Sequence, residues 1–392
     1  MQNFLSIYVH WPFCLSKCPY CDFNSHVTAQ VDHVSWLKSY EQELDYFADY
    51  LRGKYIRSIF FGGGTPSLME PFVVEGVINK IAQLGTIDDH TEITLETNPT
   101  SFETDKFKVF RSAGINRVSI GVQSLIAEDL KKLGRQHNAK QAINTIETAR
   151  KLFPRISFDL IYAREGQTLE AWQEELKIAM KHASGHISLY QLTIEKGTPF
   201  YKLFQEGNLI LPNSDQAADM YEWTNNYLES YGYSRYEISN YAIANHESRH
   251  NLAYWYYDNY LGIGPGAHSR ITTNNTTSMM MWHRPEKWLQ SVANQGHGIQ
   301  SETKLSQEQV SEEIIMMGLR LKNGFKIEEL EKKTGLPLSS ILNMPVVEYY
   351  QSLGLIVLAE NHIFFTDKGL ILHSYLVPRL LAKTKISKGA NT

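Results

Sequence analysis

Along the first two thirds of the chain, short runs rich in β-branched and aromatic residues alternate with longer segments in which apolar residues return every three or four positions. The runs Leu5–His10, Ser58–Phe61, Glu92–Glu96, Arg117–Val122, Ile156–Ile161 and Ile187–Thr193 predict strands, and Val34–Leu51, Phe72–Leu84, Thr104–Ser112, Ala139–Leu152 and Leu169–His182 predict the helices between them. Strict alternation of strand and helix is the pattern of βα units around a parallel sheet. Six units are too few for a closed eight-fold barrel, so the expected fold is α/β, a partial TIM-like (β/α)6 barrel with its chemistry at the carboxyl ends of the strands.

The pattern changes after residue 300. Ser311–Leu321 and Ile327–Thr334 read as amphipathic helices, Gly335–Pro337 breaks the run, and a hairpin is expected around Leu355–Thr366. The expected organisation is a barrel over residues 1–300, a small helical, winged-helix-like domain over 301–382 and a disordered tail over 383–392. Polar Thr272–Thr277 reads as a flexible excursion. The winged-helix pattern carries no Lys/Arg cluster on a recognition helix, which argues against a nucleic-acid partner.

Composition narrows the field further. With 43% hydrophobic and 20% charged residues and a net charge of −4, the chain is neither disordered nor a strongly basic polyanion binder. Its three cysteines all fall between Cys14 and Cys21, so there is no disulfide framework, and a reducing compartment is expected. The amino terminus has no basic leader and apolar stretch of signal-peptide type, and no segment reaches about 18 uninterrupted apolar residues. The expectation is a cytoplasmic protein, with peripheral membrane contact left open.

The cysteines carry the sharpest chemistry. Three thiolates spaced C-x3-C-x2-C on one short loop can converge on a [4Fe-4S] cubane and leave the fourth iron without a protein ligand. That open iron can be chelated by the amino and carboxylate groups of S-adenosylmethionine (SAM), and an electron from the cluster can then cleave the sulfonium. The alternative is a tetrahedral Cys3His zinc site using His10 or His26.

Tyr8-Val9-His10-Trp11-Pro12-Phe13-Cys14, followed by Cys18 and Cys21, resembles the radical SAM family of oxygen-independent coproporphyrinogen III oxidases and their relatives. The likeness runs over nearly the whole chain through Gly62-Gly63-Gly64-Thr65-Pro66, Glu96-Thr97-Asn98-Pro99, Gly121-Val122-Gln123-Ser124, Arg135 and Asp159-Leu160-Ile161-Tyr162. It implies that the backbone of Gly63, Gly64 and Thr65 meets the amino group of SAM and that Glu96 holds the ribose or amino end. It also implies that Tyr8 and Tyr20 pack against cluster and cofactor, and that Gln123, Arg135 and Asp159 contact the cofactor. For the last three, mutual satisfaction at a barrel rim is the plainer alternative. After Tyr162 the chain departs from its relatives, with Ala163-Arg164-Glu165-Gly166 where they continue Gly-Leu-Pro.

Two features divide the family. The oxidases resemble one another in a fourth cysteine two residues after the third, where this chain has Phe23, and His250-Asn251-x-x-Tyr254-Trp255 resembles the signature of a haem-chaperone branch. The resemblance implies haem binding and its delivery to haem-accepting respiratory proteins. His250 offers an imidazole for iron, Tyr254, Trp255, Tyr256, Tyr257 and Tyr260 offer apolar faces for a macrocycle, and Arg249 and Arg270 offer charge for its propionates. On spacing alone, His250 reads more readily as a satisfied core histidine, and it is the family likeness that turns the reading towards haem. The alternative functions are a radical SAM oxidase acting on a porphyrinogen propionate and a zinc-dependent regulator, the latter without a basic face.

Overall fold

The structure, a computed structural model, describes residues 3–28 and 30–381. The expected tail at 383–392 lies outside the described residues.

Six strands, β1 (Phe4–Trp11), β2 (Tyr55–Gly63), β3 (Glu92–Thr97), β4 (Arg117–Gln123), β5 (Arg155–Tyr162) and β6 (His186–Gln191), lie side by side in chain order and all parallel. The main connecting helices are α1 (His33–Tyr46), α2 (Pro71–Leu84), α3 (Phe107–Ser112), α4 (Ala139–Leu152) and α5 (Leu169–Met180), with α6 (Ser214–Ser230) after β6. The six predicted βα units are therefore all present, each within a few residues of its expected limits.

The pleat explains why these strands are buried without being uniformly apolar. Alternate residues point to opposite faces. On one face Leu5, Ile7, Val9 and Trp11 of β1, Ile59 and Phe61 of β2, Ile93 and Leu95 of β3, and Val118, Ile120 and Val122 of β4 join the core beneath the helices. The other face carries Ser6, Tyr8 and His10, then Ser58, Glu92, Thr94, Glu96, Arg117 and Asp159, a polar lining along the inside of the curved sheet. Buried polar surface on that scale marks the face as functional.

The sheet does not end with the six units. Strands β7 (Ser234–Arg235) and β8 (Asn240–Ala242) extend it antiparallel beyond β6, while β9 (Tyr260–Ile263) lies parallel to β1 and is followed outward by antiparallel β10 (His268–Thr272), β11 (Thr276–Met281) and β12 (Ile299–Lys304). The order across the twelve strands is β12-β11-β10-β9-β1-β2-β3-β4-β5-β6-β8-β7. The expectation of a flexible excursion at Thr272–Thr277 is corrected here. Those residues form the tight end of the β10–β11 hairpin, closed by Thr272 Oγ1 and Thr276 Oγ1 at 2.9 Å and by the Thr273 amide donating to the Asn275 carbonyl.

A buried carboxylate locks this extension to the first unit. Glu43 on α1 accepts from the Gly264 amide at 2.8 Å, the Gly298 amide at 2.7 Å and the Trp288 indole at 3.0 Å. Between β8 and β9 the helix α7 (Arg249–Trp255) enters the concavity, its His250 ring stacked on Phe60 at 4.9 Å.

Residues beyond 305 build a second core from Val310, Ile314, Ile315, Leu330, Val347, Tyr350, Ile363, Phe365 and Leu376, with Tyr257 contributed from the end of α7. Helix α8 (Gln307–Gly318) opens this region, and its small sheet joins β13 (Phe325–Lys326) to the hairpin β14 (Ile356–Leu358) and β15 (His362–Phe365).

Candidate functional site

The cysteine loop leaves the carboxyl end of β1 and is tied down at several points. Phe13–Cys14 pairs with His26–Val27, the His26 amide donates to Pro12 O at 2.7 Å, and the Cys21 amide to Cys18 O at 3.1 Å. Asn24 fastens the loop to the far edge of the sheet by donating to the carbonyls of Pro265 at 3.0 Å and His283 at 2.9 Å. All three thiols are free and half-exposed. Burial pushes the Cys14 thiol up, and its own neighbours Cys21 and Cys18 push in the same direction, so the three sulfurs feel one another's charge. Thr65 Oγ1, which reaches Cys14 Sγ at 3.3 Å, opposes this, and Arg135 Nη1 donates to Cys18 Sγ at 3.3 Å. Sulfurs on one tied-down loop, partly dry and supplied with donors, are suited to being thiolates once metal is bound.

The zinc alternative fits less well. His10 spends both ring nitrogens, one near Tyr8 OH at 3.0 Å and one near Asn24 O at 2.9 Å, and His26 Nε2 lies 3.1 Å from Asn24 Oδ1. Among the described residues, no group of three or more His, Cys, Asp and Glu side chains is arranged to hold a single ion. In a cubane each thiolate takes its own iron, and convergence on one point is not required.

Beside the cysteines, β2 ends in the glycine run. The Gly63 amide donates to Glu96 Oε2 at 3.2 Å, and at φ 113° with the His10 ring 2.5 Å from where a Cβ would stand, this position accepts only glycine. Gly64 has a different constraint from the one expected. A Cβ there would lie 2.7 Å from Phe13 O and 2.9 Å from Phe13 N, so the missing side chain lets β2 press against the cysteine loop itself. Asn98, a residue outside the expected set, links the two sides of the site: its Nδ2 donates to Thr65 Oγ1 at 3.2 Å, and its Oδ1 accepts from Arg135 Nη2 at 2.5 Å. Arg135 Nη2 also donates to Gly121 O at 2.8 Å. The Arg135–Asp159 pairing held open above is absent from the ion pairs of the described residues. Instead Gln123 Oε1, Asp159 Oδ1 and Arg135 Nε are buried without a hydrogen-bond partner, as polar atoms facing a ligand would be. Gln123 is further held at φ 67°, a strained setting for a side-chain-bearing residue. Burial, and then the charge of Asp159, raises the Glu96 carboxyl to about 8, while burial raises Asp159 to about 6. Tyr20 packs on Phe200 with ring centres 6.3 Å apart, and burial raises its hydroxyl.

The aromatic stretch is divided among three surroundings. His250 is 1% exposed, with Nδ1 2.8 Å from Ser58 Oγ and Nε2 3.0 Å from Tyr254 OH, and burial lowers its pKa to about 3. Asn251 is half-buried at the start of α7, its amide capped by Ser248 Oγ. Trp255 faces the carboxy-terminal region, where the Arg320 guanidinium stands 4.5 Å from its ring centre. Tyr257 enters the second core and donates to Glu313, and the carbonyls of Tyr256 and Tyr257 accept from Lys333. Arg270 is committed to Glu313 at 2.7 and 2.8 Å, and Arg249 to the His90 carbonyl, which corrects their expected availability for propionates. Tyr254 and Tyr260 remain, and both line a cleft of about 440 Å³ together with Tyr8, His10, Gly63 and Glu96 from the SAM side and Phe23, Asn24, Gly266, His268 and His283 at its mouth.

The chain is 35% identical over 389 residues to the mitochondrial radical S-adenosyl methionine domain-containing protein 1 of Danio rerio, covering 97% of this chain and 88% of that protein. Residues 8–179 match the model of the Radical SAM superfamily. The chain belongs to the radical SAM superfamily. Residues 305–372 of this radical SAM protein match the HemN C-terminal domain. It is 34% identical to the haem chaperone HemW of Bacillus subtilis over 94% of this chain and 96% of that one. Coproporphyrinogen III oxidase (HemN) from Escherichia coli has the same fold, with a TM-score of 0.82 at 22% identity over 97% of this chain and 91% of that one.

The altered loop after β5 now has an explanation within the radical SAM fold. Arg164 is 3% exposed, ion-paired to Glu175 of α5 and, at 2.8 Å, to Asp129. Glu175 in turn accepts from Ser124 Oγ at 2.7 Å and the Leu125 amide at 2.8 Å, behind Gln123. The departure therefore braces the β4 and β5 ends from behind and points away from the cleft.

Proposed function

We propose that this radical SAM protein binds haem beside a SAM-coordinated [4Fe-4S] cluster and transfers the haem to acceptor proteins, with respiratory haem proteins as the class served. The observation that carries the proposal is the shared cleft: Tyr8, Gly63 and Glu96 of the residues assigned to SAM and the aromatic pair Tyr254 and Tyr260 line one cavity, with the exposed Phe23 at its edge. The 34% identity to a haem chaperone supports this function over the oxidase, whose likeness is one of fold. No helix among the described residues is long and apolar enough to cross a membrane, so contact with membrane-bound acceptors would be peripheral. A reducing cytoplasm suits the free thiols.

Cys14, Cys18 and Cys21 would hold three irons, and Thr65 and Arg135 would donate to two of the sulfurs. The cluster supplies one electron at its open iron and a coordination site for the amino and carboxylate groups of SAM. Glu96 and the Gly63 amide define where the amino end of SAM sits, while Gln123, Asp159 and Arg135 present their unpartnered atoms to the rest of it. Tyr8, Tyr254 and Tyr260 would supply apolar ring surface to the neighbouring space.

Anaerobic reconstitution followed by two assays tests the function. Haem titration should give a saturable Soret band, and SAM, reductant and coproporphyrinogen III should give no protoporphyrinogen above a cluster-free control. Turnover of the porphyrinogen without saturable haem binding would assign the protein to the oxidases.

Glu96 adds a pH signature. With its carboxyl raised to about 8, the free protein carries a proton there at neutral pH, whereas a bound cation favours the carboxylate. Binding must then expel the proton, so the Glu96 contribution to SAM affinity should rise by up to about tenfold per pH unit from pH 6 towards 8 and level off above that. Calorimetry in buffers of different ionisation heat counts the released protons, one from the SAM ammonium as it ligates iron and one from Glu96. Glu96→Gln should lower that count by about one and make the profile shallower, and an unchanged count would remove Glu96 from the binding site.

A further inference from the structure

We propose that the imidazole offered to haem iron comes from His268 and His283 on the exposed side of the cleft, and not from His250. This inference rests on the haem-binding function proposed above and concerns which residues of the site meet the metal.

His250 is the histidine that the sequence signature offers, and its surroundings argue against it. Both ring nitrogens are occupied, by Ser58 and Tyr254, its ring lies on Phe60, and its amide donates to the buried Glu92. Presenting a nitrogen to iron would require giving up a hydrogen bond in a buried setting, where an unmade bond is expensive. Its visible service is to hold the Tyr254 hydroxyl and so fix one wall of the cleft.

His268 and His283 are in the opposite situation. His268 opens β10, where alternation places Ser269 and Ile271 in the protein interior and leaves His268 and Arg270 on the other face. His283 follows β11, its carbonyl engaged by Asn24 of the cysteine loop while its ring meets His268 edge-on. Both residues are exposed and both line the cleft that holds Tyr8, Tyr254, Tyr260 and Phe23. Their ring centres are 6.5 Å apart with planes at 74°, and among the described residues neither ring nitrogen has a hydrogen-bond partner.

The ligand count decides what such a pair can take. Two imidazoles fall short of the four ligands that a structural zinc ion takes, and among the described residues no third His, Cys, Asp or Glu completes a site for a bare ion. A haem iron brings four nitrogens of its own and asks the protein for only one or two. An aromatic-walled cleft with free imidazoles at its rim matches that demand. A rim position also suits cargo that must leave, because ligand exchange with an acceptor's histidine can begin without opening the core.

The test is haem titration of the reconstituted full-length protein in four forms: parent, His250→Gln, His268→Ala with His283→Ala, and that double variant with added free imidazole. Both mutated rim residues are exposed, so the double variant should keep the parent's circular dichroism and iron content. Its haem affinity should fall by about tenfold or more, its Soret band should move away from the histidine-ligated position, and imidazole should restore the parent spectrum. His250→Gln should keep the parent's Soret position. A double variant with the parent's spectrum and affinity, or loss of the histidine-ligated band in His250→Gln with circular dichroism unchanged, would overturn the assignment to the rim pair and leave haem binding standing. Absence of a saturable Soret band in the parent would instead remove the haem function, and this inference with it.

Discussion

Replacing Cys14, Cys18 or Cys21 by alanine is expected to leave a protein of parental fold with almost no cluster. Each thiol is only partly buried and belongs to none of the apolar clusters, so its loss scarcely disturbs the core. Each is also the sole protein ligand assigned to one iron, and water cannot replace a thiolate on iron with comparable strength. Iron after anaerobic reconstitution should fall from about four per chain to below about one. Haem titration should be largely retained, because no cysteine lines the aromatic end of the cleft. About four irons still held by the triple variant would defeat the assignment.

Gly64→Val is expected to be nearly as damaging by another route. The φ of Gly64 is one that other residues adopt, so the penalty is one of space. Three backbone atoms of Phe13 stand within 2.9 Å of the Cβ position, and backbone cannot rotate aside as a side chain can. Overpacking of this kind costs about 1–3 kcal/mol, and the shift falls on the residue next to Cys14. Thermal stability and cluster occupancy should drop together, with SAM affinity falling as their consequence. A stable, fully clustered Gly64→Val that had lost only SAM binding would restore a direct cofactor role for this glycine.

The parts of the molecule that were legible in the sequence are those encoded locally. Strands β1 to β6 announce themselves because each carries an apolar face for the helices, and the cysteine loop does so because its three ligands lie within eight residues. The antiparallel extension was not legible for the opposite reason. Ile299–Lys304 reads IQSETK and is exposed along almost its whole length, so no apolar alternation marks it as a strand, and Asn240–Ala242 is only three residues long. The role of His250 was equally hidden, since Ser58, which holds its ring, lies 192 residues away. The aromatic stretch from Tyr254 to Tyr260 looked like a single wall because the sequence cannot tell which way successive side chains turn as a short helix ends. In the structure Tyr254 and Tyr260 reach the cleft, Trp255 meets Arg320, and Tyr257 joins the second core. Arg164 likewise seemed a change beside the pocket, and only the position of Glu175 shows it to be a brace behind it.

The anchoring of Asn24 bears on how the protein matures. This residue sits in the cysteine loop, yet its amide group is held by carbonyls 241 and 259 positions further along the chain, and Glu43 just beyond it waits for partners 221 to 255 positions away. A ribosome has therefore released the thiols long before it makes the residues that fix their loop. Closing loops of that length is entropically unfavourable until the remaining contacts form with them. The cysteines consequently spend most of synthesis without their long-range anchors, exposed to oxidation or to stray metal, and iron insertion belongs after the β9–β12 edge has docked. A chain shortened before Pro265 should carry the complete ligand motif and still fail to retain a cluster.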